Sequence, residues 1–178
     1  MDVSERVAAA AKARLPALPF VVSDACALPF RPGSFDLVVS ISTLDHLAPP
    51  LLAVAVAQLR EVLRPGGCLI LTLDSGHNPW HVFSNSLRRR MGRIYAERCY
   101  KVDEVRTVLE RQELTVTGVT AIYHIPFPVN FLAKKLEKLL GPLANVPIRR
   151  AIGIFRRLEA LPTRFLTGRY IALRVIRK

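Results

Sequence analysis

Short apolar runs and longer periodic segments alternate along the first half of the chain. Phe35–Ile41 is almost continuously apolar, as expected for a parallel strand that is covered on both faces. Pro49 and Pro50 fit the first turn of a helix, where a missing N–H costs nothing, and apolar residues at helical spacing continue to about Leu63. Cys68–Leu73 is the next predicted strand. A strand, a helix and a strand at this spacing predict a βαβ unit.

The same patterns predict the remaining elements, and the helix after Pro49 should bury Leu52, Val56, Leu59 and Val62. They are helices at Glu5–Arg14 and Val102–Glu113, strands at Phe20–Val22, Thr115–Tyr123 and Tyr170–Ile176, a basic helical segment at His81–Arg93, and basic amphipathic helices at Phe131–Leu140 and Ile148–Leu161. The last two form an insertion over residues 126–167, before the final strand. The sequence therefore predicts one α/β domain over residues 1–178, with a Rossmann-like, mostly parallel sheet and a basic helical insertion.

Composition narrows the class of protein. A chain of 178 residues that is 51% hydrophobic and 22% charged suits a single globular domain and argues against disorder. No apolar run approaches the roughly 18 residues that a membrane-spanning helix needs. The three cysteines are scattered and none forms a CxxC pair, which argues against a disulfide framework and against a zinc site. We therefore expect a protein that resides in the reducing cytoplasm and has no metal site.

Positive charge is concentrated towards the end of the chain. The formal net charge is +12, and residues 131–178 contain twelve lysines and arginines against two acids. This bias favours an anionic partner: a lipid headgroup surface, a nucleic acid or a phosphorylated substrate. The alternative is a solvated basic face. Few aromatic residues are interspersed with these cations, which disfavours nucleic acid.

Polar residues follow three of the predicted strands. Asp24 comes shortly after the strand Phe20–Val22, and the segment Ser40–His46 covers the end of Phe35–Ile41. Asp74 directly follows the third of these strands, Cys68–Leu73. Ligands of open parallel sheets bind at these carboxyl ends. A carboxylate there can accept a hydrogen bond from an amine or from an adenine amino group. The alternative for Asp24 is an acid that caps a turn.

Four sequence blocks together resemble a known family. In order and spacing, Val22–Phe30, Gly33–Ser40, Leu44–Leu47 and Leu59–Gly67 are similar to the class I S-adenosylmethionine (SAM) dependent methyltransferases of type 11. Each block alone is a weak signal, whereas the four together over some fifty residues are a strong one. The resemblance implies S-adenosyl-L-methionine as the cofactor.

The resemblance also implies roles for individual residues, namely Asp2, Asp24, Ala25, Leu28, Ser40 and Ile41 as the cofactor-binding set. Asp24 matches the acid that accepts a hydrogen bond from the adenine amino group, and Ala25 the position whose backbone N–H reaches the adenine ring. Leu28 would lie near the adenine face. Ser40 and Ile41 match the strand end that faces the methionine part. Asp2 matches the acid that binds the ribose hydroxyls.

One family feature is missing from this sequence. The family's first strand ends in a GxGxG loop, which lets the backbone approach the cofactor, yet none of the nine glycines here forms a GxG. We therefore expect an N-terminally truncated or mis-started sequence with poor affinity for SAM. In the family's sheet, the missing strands lie between the two strands that correspond to Phe20–Val22 and Phe35–Ile41. These two strands would then pair directly, accept a strand from another chain, or expose an edge that favours self-association.

Two histidines are candidates for the acceptor side of the site. His46 is placed to act as a general base, because neutral imidazole titrates near working pH. Its alternative is a hydrogen bond across the start of the following helix. His77, after the third strand, either binds the acceptor or shapes its loop. Many methyltransferases need no base, since positioning of the nucleophile supplies most of the catalysis.

The basic insertion bears on the choice of substrate. Helices with apolar and cationic faces suit an anionic membrane surface, and a lid of this kind indicates a lipid-like or isoprenoid acceptor. The alternative is an ordinary lid that packs its apolar side on the sheet. The predicted function is SAM-dependent methyl transfer to a small or lipid-like acceptor. The alternative is a non-catalytic, methyltransferase-like binding or membrane-surface module.

Overall fold

The computed structural model describes residues 1–91, 98–124 and 157–178, together with Lys135, Lys138, Gly153 and Phe155. In these parts the chain forms a four-stranded sheet with helices. The helices are α1 (Glu5–Arg14), α2 (Pro49–Val62), α3 (Pro79–Arg90), α4 (Val102–Glu110) and α5 (Arg164–Thr167); the strands are β1 (Phe35–Ile41), β2 (Leu63–Asp74), β3 (Leu114–Ile122) and β4 (Tyr170–Arg177); short 3₁₀ turns cover Leu44–His46 and Arg157–Ala160.

The strand order in the sheet is β1-β2-β4-β3. β1 and β2 are parallel, and β4 runs antiparallel to both of its neighbours, β2 and β3. Three of the four strands therefore point the same way. The parallel pair β1 and β2 is joined through α2, so the predicted βαβ unit and the Rossmann-like class are confirmed.

α2 and α4 pack on one face of the sheet and enclose the core. The fully buried side chains include Leu69, Leu71 and Leu73 of β2 and Leu173 of β4. On the helix side, the four inward positions predicted for α2 are all buried. Each such aliphatic side chain contributes about 1.5–3 kcal/mol through removal from water. This face of the sheet therefore holds the domain together.

Local chemistry explains where several elements begin. α1 starts after Ser4, whose side chain accepts a hydrogen bond from the Val7 N–H. α2 starts with prolines at its first two positions, as predicted. The turn expected between Arg64 and Gly67 is instead the irregular beginning of β2. A side chain at Gly67 would place its Cβ 2.8 Å from the Arg64 carbonyl oxygen, so this close approach within β2 requires glycine there.

Two expectations about the first strands are wrong. Phe20–Val22 does not form a strand of the sheet; it makes a single parallel bridge, Asp2 to Val22. β1 is not covered on both faces either, because Leu37, Val39 and Ile41 are 54%, 52% and 67% exposed. Among the described residues β1 pairs only with β2, so its other edge is open, and the Phe20–Val22 segment does not pair with it.

Other boundaries differ by a few residues. The basic segment His81–Arg93 is helical as α3, which begins two residues earlier, and Val102–Glu113 is shortened to α4. The helix predicted at Phe131–Leu140 lies outside the described residues apart from single positions. Of Ile148–Leu161, the described end is a 3₁₀ turn. Within the described parts, no helix is long and apolar enough to cross a membrane.

Candidate functional site

The carboxyl ends of β1 and β2 meet at one edge of the sheet because these strands are parallel. β1 ends in a sharp turn at Ser42, which has a φ of 45°, a conformation that non-glycine residues rarely adopt. The Ser42 N–H holds this turn against β2 by donating to both the carbonyl oxygen and the side chain of Thr72, each at 3.1 Å. Strained backbone of this kind concentrates at functional sites.

Asp24 lies in an exposed loop whose shape its own side chain fixes. Asp24 Oδ1 accepts a hydrogen bond from the Cys26 N–H at 2.8 Å. The Leu28 N–H donates to Gln58 Oε1 of α2 at 3.1 Å, and Ala25 and Leu28 pack against the core. The loop is therefore anchored to the helix behind it while the Asp24 carboxylate faces solvent. The turn-capping contact and an acceptor role are compatible, since a carboxylate offers several lone pairs.

An open groove of about 290 Å³ runs beside β1. Three of the residues predicted to bind cofactor, Ala25, Leu28 and Ser40, line it together with apolar side chains of β1 and with Met1. Ser40 is buried, with 9% of its surface exposed. Ile41, the fourth predicted residue of this region, is mostly exposed and does not line the groove. The structure thus brings together residues that are far apart in sequence.

Asp2 lies next to this groove, since Met1 lines it. Its backbone makes the bridge to the Phe20–Val22 segment: the Asp2 N–H donates to the Val21 carbonyl at 3.2 Å, and the Ser23 N–H donates to the Asp2 carbonyl at 3.0 Å. Asp2 Oδ1 accepts from the Ser4 N–H at 2.8 Å, immediately before α1. One carboxylate oxygen therefore organises the start of the helix, beside the position predicted for ribose.

The two candidate histidines have different surroundings. His46 ends the 3₁₀ turn after β1 and is exposed. His77 Nε2 accepts a hydrogen bond from the Val102 N–H at 3.0 Å, where α4 begins. The His77 ring also packs at an angle of 64° against Phe165, with centroids 5.9 Å apart. His77 thus joins three segments of the chain, a contact pattern that matches the loop-shaping alternative.

A buried cluster of charged side chains lies behind the rim. Asp45 is 2% exposed and Asp74 is completely buried, and no oxygen of either carboxylate has a hydrogen-bond partner among the described residues. Asp74 is compensated by two cations: His81 Nε2 lies 3.3 Å from Asp74 Oδ1, and Arg169 Nε lies 3.8 Å from the same oxygen. The contact with His81 has the distance of an ion pair without hydrogen-bond geometry. No ion pair of Asp45 is found in the described parts.

Burial and charge shift two pKa values in this cluster. Burial, followed by the negative charge of Asp74, raises the pKa of Asp45 from 3.8 to about 6. Burial alone would lower the pKa of His81, but Asp74 and Cys99 outweigh it and raise that pKa from 6.5 to about 9. His81 is therefore a cation at neutral pH, and Asp45 is an anion that the protein stabilises poorly.

Sequence reasoning found this cluster only in part. Asp45 and Asp74 were expected at strand ends of the rim, and both lie there. The role of His81 was missed, because its partner is seven residues away in the sequence and on a different element. Among the described residues, no group of three or more His, Cys, Asp and Glu is arranged to hold a metal ion.

Comparison with known proteins places this geometry in context. The model of the methyltransferase domain family matches residues 1–71. Demethylmenaquinone methyltransferase of Beutenbergia cavernae is 41% identical over 85 residues, which are 46% of this chain and 33% of that protein. An uncharacterized 37.1 kDa protein of a Streptomyces fradiae transposon is 38% identical over 74 residues, which are 40% of this chain and 21% of that protein. The matched part thus spans one third or less of these relatives.

Solved structures match almost the whole chain at low identity. A methyltransferase-type protein of Bacillus halodurans C-125 has a TM-score of 0.66 and 20% identity, covering 98% of this chain and 80% of that one. Geranyl diphosphate methyltransferase, solved in complex with SAM, has a TM-score of 0.64 and 13% identity, covering 99% and 67%. The fold is therefore that of the class I SAM-dependent methyltransferases. The similarity to the methyltransferase domain family covers residues 1–71, and SAM is the cofactor bound in the solved geranyl diphosphate methyltransferase of this fold.

The described residues fit one part of this cofactor better than the other. Ala25 and Leu28 line an apolar groove that suits an adenine ring, and the exposed acid Asp24 beside it suits the adenine amino group. For the methionine part, the chain offers the end of β1 near Ser40. Its sequence has no GxG to approach that part from the opposite side.

Proposed function

We propose that the chain takes part in SAM-dependent methyl transfer to a small or lipid-like acceptor. The main support is the groove beside β1, where Ala25, Leu28 and Ser40 converge next to the Asp24 loop. These residues belong to two separate sequence blocks of the methyltransferase pattern, Val22–Phe30 and Gly33–Ser40. A chance resemblance gives no reason for them to line one cavity beside the first strand of a parallel pair.

In this proposal the chain's own residues bind and orient. The Asp24 carboxylate accepts a hydrogen bond from the adenine amino group, and Leu28 contacts the ring. The cofactor supplies a methyl group on a positively charged sulfur. The acceptor approaches from the rim near His46, which is exposed and able to take up the proton that the nucleophile releases.

The lipid-like acceptor is supported by charge and by relatives. A relative is named demethylmenaquinone methyltransferase, and a protein of the same fold is named geranyl diphosphate methyltransferase. The high density of lysine and arginine over residues 131–178 suits an acceptor that is anionic or that resides in an anionic membrane. Demethylmenaquinone is therefore the first acceptor to test.

Calorimetric titration with SAM tests the cofactor site. Asp24→Asn should weaken binding by about tenfold or more, because it replaces a charged hydrogen-bond acceptor with a neutral one. Asp36→Asn is the matched control: Asp36 is also an exposed acid, but it pairs with Arg64 and does not line the groove. The titration is repeated on a version extended upstream. Absence of binding by both versions would refute the proposal.

A second candidate is a non-catalytic, methyltransferase-like module that pairs with another chain. The open edge of β1 supports it, because exposed strand edges accept further strands, and the groove lies directly beside this edge. Size-exclusion chromatography and co-purification separate the two candidates. A stable, soluble monomer that binds SAM by itself would argue against a required partner.

A further inference from the structure

α3 is amphipathic, but its apolar side faces solvent. Trp80, Phe83, Leu87 and Met91, the last directly after the helix, are 58%, 61%, 48% and 63% exposed. At about 100° per residue these positions fall within a sector of about 80° on the helix surface. The Trp80 and Phe83 rings lie 6.0 Å apart, so the beginning of this sector is a continuous aromatic surface.

The opposite side of α3 is polar and buried. His81 and Asn85 are 6% and 3% exposed. His81 pairs with Asp74 at the end of β2, and Asn85 Nδ2 lies 3.5 Å from Cys99 Sγ. In addition, Asn78 Nδ2 donates to the Thr167 carbonyl at 3.1 Å, just before the helix. These contacts fix the orientation of α3, so that its polar side faces the protein and its apolar sector faces solvent.

Cations border the apolar sector. By the same helical spacing, Arg88 falls on one side of it and Arg90 on the other, and α3 contains no acidic residue. Arg90 is exposed and Arg88 is partly exposed. Aromatic and aliphatic side chains flanked by arginines are the composition of helices that lie in the interface of an anionic membrane.

We propose that α3 is a membrane-surface helix that inserts Trp80, Phe83, Leu87 and Met91 among anionic lipids. The charge of Arg88 and Arg90 selects anionic headgroups, each cation strengthening binding about fivefold. A nucleic acid fits this surface less well, because the flexible side chains of Leu87 and Met91 do not stack on bases. The proposal concerns α3 alone, and its binding does not depend on methyl transfer.

The placement of α3 gives this contact a functional direction. Through His81 and Asp74 the helix is attached to the carboxyl end of β2. A membrane bound by α3 therefore lies on the rim side of the sheet, where the acceptor is proposed to approach. Only this consequence rests on the proposed function.

Trp80 is the single tryptophan of the chain, so its fluorescence reports directly on α3. With vesicles of phosphatidylglycerol, the emission should shift to shorter wavelength, and lipids brominated in their acyl chains should quench it. Vesicles of phosphatidylcholine should produce neither effect at the same lipid concentration. No shift with phosphatidylglycerol, or an equal shift with both lipids, would overturn the proposal. So would a shift that depends on protein concentration without vesicles, which would assign the surface to a protein contact.

Variants locate the contact on α3. Arg88→Gln combined with Arg90→Gln should weaken binding to phosphatidylglycerol vesicles by about 30-fold, and Phe83→Ser combined with Leu87→Ser should abolish the quenching. Leu51→Ser combined with Val54→Ser on α2 is the matched control, because these side chains are 47% and 45% exposed on another helix. The control should bind as the wild type does. Equal effects of the α2 and α3 apolar pairs, at unchanged circular dichroism, would refute the assignment.

Discussion

Replacing Asp45 by asparagine should stabilise the protein in a pH-dependent way. The folded protein binds the Asp45 proton more tightly than the unfolded chain, because burial and Asp74 raise the pKa of this carboxyl from 3.8 to about 6. The resulting stabilisation is fully present below pH 3.8 and is lost as the pH rises through about 6. Each pKa unit corresponds to about 1.4 kcal/mol, so the complete loss is about 3 kcal/mol.

Asparagine keeps the shape of the protonated acid and cannot ionise, so Asp45→Asn should avoid this loss. About 2 of the 3 kcal/mol fall between pH 4.5 and pH 8, according to the two titration curves. The free energy of unfolding of the variant, minus that of the wild type, should therefore increase by about 2 kcal/mol over this range. Urea unfolding followed by circular dichroism at five pH values measures this difference.

The exposed acid Asp36 provides the control. Asp36→Asn should give a difference that hardly changes with pH, because its ion pair with Arg64 is exposed to solvent and contributes little to stability. A flat difference for Asp45→Asn would contradict the reasoning, since it would mean that the Asp45 carboxylate is solvated or paired with a cation. A difference that falls with pH would mean that Asp45 is stabilised as an anion.

Two further predictions concern the buried charged cluster and the apolar core. His81→Gln should destabilise the protein by about 3 kcal/mol more at pH 6 than at pH 10. The reason is that the folded-state pKa of His81, about 9, lies above the ordinary 6.5, so the stabilisation from its charge is lost as the pH rises through 9. Urea unfolding at the two pH values measures this difference, and an equal loss of stability at both would contradict it. Leu71→Ala should lower the free energy of unfolding by about 3 kcal/mol because Leu71 is completely buried, whereas Leu37→Ala on the exposed face of β1 should lower it by less than about 1 kcal/mol. Similar thermal unfolding midpoints for the two variants would show that the exposed face of β1 is covered in solution.

Much of the fold could be predicted where the local signal and the tertiary environment agree. The proline pair and four inward positions of α2 determine that helix almost completely, and β1 has the bounds that its apolar run predicts. The burial of β1 could not be predicted. An apolar run indicates that a strand can be covered on both faces, but whether a neighbour exists is decided by other parts of the chain. Phe20–Val22 was predicted as a strand for the same reason and forms one bridge.

The candidate site shows the same division. A family pattern predicts Asp24, Ala25, Leu28 and Ser40 as site residues, and three of them, Ala25, Leu28 and Ser40, line one groove. Their role in binding SAM stays a prediction. The orientation of α3 could not be predicted, because helical periodicity identifies an apolar side without saying which side faces the protein. The contacts of His81, Asn85 and Asn78 with other parts of the protein settle it.

β4 occupies a central place in the sheet although it is the last of the described strands. It bonds to β2 across a separation of more than one hundred residues, for example Cys68 to Ile176. A ribosome must therefore synthesise nearly the whole of this sequence before β2 and β3 can be joined. Until then both strands expose hydrogen-bonding edges and apolar surface, which slows folding and attracts chaperones or other nascent chains. We expect the yield of soluble protein to depend strongly on the rate of synthesis.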